Sequence, residues 1–196
     1  MAPRILAFAG STRRESYNKK LLQHAIRGAR DAGADVTAID LKDYPLPLFD
    51  EDLETGQGMP EPAAQLKQLF LDHPAFLIAS PEYNSSISGV LKNAIDWVSR
   101  SAPGEPPLSA FRGKVATLMS TSPGALGGIR GLVHVRSLLG NMGVIVLPDQ
   151  LAIGKAHDMI RADGSMTDPN QQEGIAKLGT GLASFLARLQ SPPAGS

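Results

Sequence analysis

Five short runs of apolar residues alternate along the chain with longer amphipathic stretches. This alternation predicts an α/β fold, a five-stranded parallel sheet with helices covering both faces in three layers. A chain of 196 residues is long enough for one such domain with a substantial core, expected over residues 1–190. The closing "SPPAGS" (191–196) is expected to be a disordered tail.

The runs are "RILAFA" (4–9), "DVTAID" (35–40), "AFLIAS" (75–80), "KVATLMS" (114–120) and "GVIVLP" (143–148). Between the first two, Leu21, Leu22, Ala25, Ile26 and Ala29 repeat at helical spacing, with Gly33 as a stop. Leu66, Leu69 and Phe70 mark a second helix opened by Pro60 and Pro62. Val90, Leu91, Ala94, Ile95 and Val98 mark a third, and "IRGLVHVRSLLGNMG" a fourth. The last follows Pro169, with Ile175, Leu178, Leu182, Phe185, Leu186 and Leu189 on one face. The stretch "DYPLPLFDEDLETGQGMPEP" (43–62) is expected to be an ordered surface loop. Right-handed crossovers leave two arrangements for such a sheet, the dinucleotide-binding order and the flavodoxin-like order 2-1-3-4-5. Both place ligands beyond the carboxyl ends of the strands, which makes the loops after strands one, three and four the informative ones.

Composition excludes several classes. Lys+Arg and Asp+Glu both number 19, so a net charge of zero gives no support for binding nucleic acid or an anionic membrane. It also differs from the acidity expected of a small electron carrier that docks on basic partners. Without cysteine there is no disulfide, thiol nucleophile or cysteine metal site. The apolar run of "MAPRILAFAG" is too short and wrongly flanked for a signal peptide, and no run approaches the roughly 18 residues of a membrane span. A cytoplasmic location is expected.

The first loop, "GSTRRESYN" (10–18), lacks the G-x-G-x-x-G spacing of a dinucleotide site. It offers hydroxyls, an asparagine and two arginines at the start of a helix, where free amides and the positive dipole end suit an anion. A phosphate monoester exposes three anionic oxygens and needs that many donors. Two readings stand side by side: an anion site, or a polar turn in which Ser16 or Asn18 caps the helix. The third-strand loop, "PEYNSSISGVLKNAIDWVSR" (81–100), is more specific. Pro81 to Asn84 form a tight polar turn whose backbone groups can read the edge of a flat heterocycle and whose Tyr83 can pack on its face. Trp97 falls at core or interface spacing with Leu91, Ala94 and Ile95.

Together with "STSPGALGGIRG" (120–131), these stretches resemble the three ligand loops of the NADPH-dependent FMN reductase family, which includes chromate, quinone and azo-dye reductases. The resemblance runs over roughly residues 4–190 and implies the flavodoxin-like order. It implies that Ser11, Arg13, Ser16 and Asn18 hold the FMN phosphate, with Arg14 as an alternative to Arg13. It implies that Pro81, Glu82, Tyr83 and Asn84 border the flavin ring and ribityl chain. It implies that Ser120, Thr121, Ser122 and Gly124 form a third wall, with Gly127 and Gly128 admitting backbone to the ring or starting the next helix. Arg130 reads as a solvated helix residue.

The reaction so implied is hydride transfer from NADPH or NADH to FMN, then reduction of a small-molecule acceptor: a quinone, flavin, azo dye or metal oxyanion. No side chain is expected to be catalytic as an acid, base or nucleophile, and no metal is expected. Ser122 lacks the first glycine of a G-x-S-x-G elbow. His24, His73, His134 and His157 are scattered without ligand spacing. Lys19 and Lys20 follow no phosphate-binding G-x-x-x-x-G-K pattern. The competing reading is a flavodoxin-like electron carrier that does not itself oxidise NADPH. The family resemblance further implies a homodimer or homotetramer, for which Leu46, Leu48 and Phe49 offer apolar surface.

Overall fold

In the computed structural model, which describes residues 2–190, the five expected runs form one parallel sheet. Its strands are β1 (Arg4–Ala9), β2 (Asp35–Asp40), β3 (Ala75–Ala79), β6 (Val115–Thr121) and β7 (Ile145–Ile153). Between β3 and β6 lies a small antiparallel hairpin, β4 (Glu82–Tyr83) and β5 (Ser86–Ile87). The large sheet runs β2-β1-β3-β6-β7, which is the flavodoxin-like order once the hairpin strands are set aside. The tail expected at 191–196 lies outside the described residues.

Alternation along β1 explains the layering. Ile5, Ala7 and Ala9 face one way, into a core built with Leu21, Leu22 and Ile26 of α1 (Tyr17–Asp31) and Ile175 and Leu182 of α7 (Pro169–Gln190). Leu6 and Phe8 face the other way, against Leu66 and Phe70 of α3 (Glu61–Asp72), Leu91 and Ile95 of α4 (Gly89–Val98), and Leu132 and Val135 of α5 (Ile129–Asn141). Central strands buried on both faces read as unbroken apolar runs, as β3 does. On α1 and α7 the contact is close enough to exclude side chains. A Cβ at Gly28 would sit 2.0 Å from the Ala176 carbonyl oxygen, and one at Gly179 would sit 1.9 Å from that of Ala25. Leu189, expected on the buried face of α7, is instead 60% exposed at its end.

Two segments depart from the sequence expectation. The fifth strand runs past Pro148, with a bulge between its pairings of Val146 and Gln150. Proline, lacking an N–H, is tolerated there because β7 is an edge strand, and Arg136 donates to the Val146 and Leu147 carbonyls and to Gln150. The 43–62 connection holds a helix, α2 (Glu51–Gln57), capped by the Asp50 carboxylate. The loop is indeed ordered. The indole N–H of Trp97 and the amide of Asn93 both donate to the Pro47 carbonyl at 2.8 Å, Phe49 stacks edge-on against Trp97, and Glu54 pairs with Arg100. Trp97 is fully buried, as its spacing predicts. No described helix is long and apolar enough to cross a membrane. A short α6 (Ala156–Met159) follows β7.

Candidate flavin site

At the carboxyl end of the sheet the three informative loops meet around a cavity of about 180 Å³. It is lined by Ser11, Arg13, Ser16, Tyr17 and Asn18 from the first loop, Pro81, Glu82 and Tyr83 from the second, and Thr121, Ser122 and Pro123 from the third. Larger cavities exist, one of about 650 Å³ beside Met59 and Leu71 and one of about 770 Å³ at the amino ends of the strands near Arg4, Pro74 and Lys114. Neither of these two lies where a parallel sheet of this order takes ligands, whereas a third, of about 280 Å³ between Thr12, Leu41 and Asn93, lies beside the first loop.

The first loop leaves its donors free. Ser16 occupies the position before α1, yet its hydroxyl makes no capping hydrogen bond. The Ser16 hydroxyl is therefore not engaged by the helix that it precedes. Ser16 is only 4% exposed and lines the cavity. Arg13 also lines the cavity, and its guanidinium has no hydrogen bond or ion pair among the described residues. The Ser11 hydroxyl accepts from the Arg13 amide at 3.3 Å and keeps its own proton available. With the positive end of a 15-residue helix behind them, these groups suit the donor demand of a phosphate monoester.

Asn18 behaves differently. Its Nδ2 donates to the Thr121 carbonyl at 2.9 Å and its Oδ1 accepts from the Thr121 amide at 3.1 Å. It lines the cavity, but its amide ties the first loop to the third.

The second loop is the β4–β5 hairpin. Asn84 and Ser85 both have positive φ, 51° and 64°, the backbone of a two-residue turn whose twist matches paired strands. Tyr83 is 51% exposed beside the cavity, while Pro81 is buried. The Glu82 carboxylate turns to α5, where Oε1 accepts from Arg130 Nε and Nη2 at 3.1 and 2.8 Å and Oε2 accepts from the Gly131 amide at 2.9 Å. Burial pushes this carboxyl up, but the Gly131 amide and the Arg130 guanidinium outweigh it and hold the group below the usual carboxylate range. Arg130, expected to be solvated, is therefore paired although 57% of its side chain is exposed.

In the third loop Thr121 and Ser122 reach the cavity, whereas Ser120 and Gly124 do not line it. The Ser120 hydroxyl is fully buried and donates to the Ser80 carbonyl at 2.7 Å, which locks β6 to β3. Gly124 lies on the exposed part of the loop, its carbonyl accepting from the Lys155 amide at 3.0 Å. Asn84 sits at the hairpin tip, also outside the cavity. Tyr17 and Pro123 line it without having been singled out, although each is the immediate neighbour of a residue that was.

The profile of the NADPH-dependent FMN reductase family matches residues 3–158, and with them all three loops. The chain belongs to this family. Its members bind FMN and draw electrons from NAD(P)H, and the chain is an enzyme of the NAD(P)H-dependent FMN and quinone reductase group. It is similar to a probable NADPH:quinone oxidoreductase of Oryza sativa, 34% identical with 100% of this chain and 94% of that protein covered. It is similar to an NAD(P)H-dependent FMN reductase of Pseudomonas aeruginosa, also 34% identical, with 95% of this chain and 97% of that protein covered. Among solved structures it resembles FerB, a flavoenzyme NAD(P)H:(acceptor) oxidoreductase from Paracoccus denitrificans, with a TM-score of 0.78. The two are 27% identical, and the likeness covers 95% of this chain and 98% of FerB.

Proposed function

We propose that the chain transfers hydride equivalents from NADPH, or NADH, through FMN to a quinone-type acceptor, with the FMN phosphate in the cavity described above. The observation that carries this placement is the pair of free donors at the start of α1, the Ser16 hydroxyl and the Arg13 guanidinium. A cavity of about 180 Å³ is smaller than the roughly 300–1,000 Å³ of an enclosed ligand pocket. It suits the phosphate end, leaving the ring to lie against the hairpin and the third loop.

In this reading Ser11, Arg13, Ser16 and the α1 amino end bind the phosphate. Asn18 holds the third loop in place. Pro81, Glu82, Tyr83 and Asn84 present the second wall, and Thr121, Ser122 and Gly124 the third; Ser120 supports that wall from beneath. Flavin, when bound, supplies the two-electron redox chemistry. The chain's own task is to fix the ring's edges, leave one face open to donor and acceptor in turn, and hold amide dipoles where negative charge accumulates on reduction. No side chain need move a proton as an acid or base. Quinones are favoured as acceptors because relatives similar over nearly their whole length carry that name; chromate and azo dyes are the further candidates.

We also propose a cytoplasmic homodimer or homotetramer. Support comes from apolar side chains left on the surface, Leu48 at 81%, Leu126 at 55% and Val133 at 58% exposed. A mass near one 20.7 kDa chain in light scattering contradicts this.

The phosphate placement is tested by titrating the flavin-free protein with FMN and with riboflavin. FMN is expected to bind about a hundredfold or more tightly, the worth of several charge-assisted contacts. Equal affinity for the two contradicts the placement.

A further inference from the structure

The hairpin that carries Tyr83 has strands of only two residues each, far below what holds a hairpin together in water. Its order comes from α5. That 13-residue helix is preceded at its cap position by Gly128, which has no side chain with which to cap it. The missing cap is supplied from the hairpin, by Glu82 Oε2 on the Gly131 amide, while Oε1 accepts from Nε and Nη2 of Arg130 one residue earlier. A second strut joins the other strand, His134 Nδ1 lying 2.9 Å from Ser86 Oγ. Hairpin and helix are in contact: a Cβ at Gly131 would stand 3.3 Å from both Glu82 Cβ and the Ser86 carbonyl oxygen.

We propose that Glu82 and Arg130 are a positioning pair, clamping the hairpin to the first turn of α5 so that Tyr83 and the third loop keep a fixed spacing across the cavity. The proposal rests on the reading that FMN occupies that cavity. The third loop runs directly into α5 through Gly127 and Gly128, so one clamp sets two of the three walls. The Glu82 side chain is 9% exposed and both its carboxylate oxygens accept hydrogen bonds from α5. Glu82 acts through α5 and not on the reacting atoms.

The test combines Glu82→Ala, Glu82→Gln, Arg130→Ala and the Glu82→Ala/Arg130→Ala double variant. Two readouts are taken: FMN affinity by flavin fluorescence, and amide hydrogen exchange of residues 82–87 in the flavin-free protein. Glu82→Ala is expected to weaken FMN roughly tenfold, the scale of one charged hydrogen-bonded contact, and to speed exchange in the hairpin while the large sheet is unchanged. Arg130→Ala, a change at an exposed side chain, should do the same to a smaller extent. The double variant should be no worse than Glu82→Ala, because the two residues act as one unit. Glu82→Gln should recover part of both losses through its remaining carbonyl oxygen. Additive losses, or an Arg130→Ala protein with unchanged affinity and exchange, overturn the proposal, as does a Glu82→Ala protein that loses turnover alone. Wild-type protein that takes up no FMN removes the flavin reading instead, and the exchange data then judge the clamp by themselves.

Discussion

Asn18 and Thr121, 103 residues apart, exchange two hydrogen bonds: the asparagine amide gives one to the threonine carbonyl and takes one from its N–H. Both residues are buried, Asn18 at 4% and Thr121 at 2% exposure. The contact fastens the start of α1 to the end of β6, across β1 and β3, and thereby fixes the phosphate end of the cavity against its third wall. Asn18→Ala leaves a buried donor and a buried acceptor without partners, which costs about 2–4 kcal/mol. Denaturant unfolding of the flavin-free protein should show that loss, and FMN titration a weaker affinity beside it. Wild-type stability in Asn18→Ala contradicts the role assigned to the pair.

Arg13 and Arg14 are distinguished by place. Arg13 lines the cavity; Arg14 does not. Arg13→Ala should weaken FMN by about 1.5–3 kcal/mol, and Arg14→Ala should have little effect. Raising salt should narrow the difference between wild type and Arg13→Ala. Calorimetric titration of both variants checks it, and the reverse order reassigns the phosphate contact.

The α1–α7 interface predicts a purely structural sensitivity. Gly28→Ala and Gly179→Ala drive a methyl into backbone atoms that cannot step aside, and each should cost about 1–3 kcal/mol. Thermal unfolding reads the loss. FMN affinity of the folded fraction should be unchanged, since the interface lies on one face of the sheet and the cavity at its end.

Acid stability points to a second ionic contact, away from the site. Glu105 is held by Lys67, by the Ser109 hydroxyl and by the Ala102 amide, which lower its carboxyl from 4.5 to about 2. A carboxyl that binds its proton less readily in the folded chain stabilises that chain above the unfolded value. Its contribution is present above about pH 4.5 and is lost as the pH falls toward 2. Glu105→Gln should flatten the pH dependence of unfolding across that window. A variant with the wild-type slope contradicts the assignment.

The long strands and helices were legible because burial writes a period into them, period two or an unbroken run in strands and 3.6 in helices. The segments missed have no such period. α2 buries none of its residues, so no apolar face announces it, although Asp50 ahead of an acidic first turn and Gly58 behind it were signals of its ends. The β4–β5 strands are too short for alternation. Most residues of the cavity were legible from the loop motifs, as in Ser11, Arg13 and Ser16. What each side chain does was not: Asn18 turned to Thr121, Ser120 to Ser80 and Glu82 to α5, and each choice depends on a partner more than 30 residues away. Exposed Arg130 showed nothing in sequence of the carboxylate that would meet it 48 residues earlier.

The central claim is tested most directly by an anaerobic absorbance spectrum of the FMN-reconstituted protein, recorded before and after NADPH and again after one equivalent of benzoquinone. Bound flavin should bleach at about 450 nm on addition of NADPH and recover with the quinone in the absence of oxygen. Bound flavin that stays oxidised with NADPH and NADH alike, or that is reduced but not reoxidised by the quinone, contradicts the account.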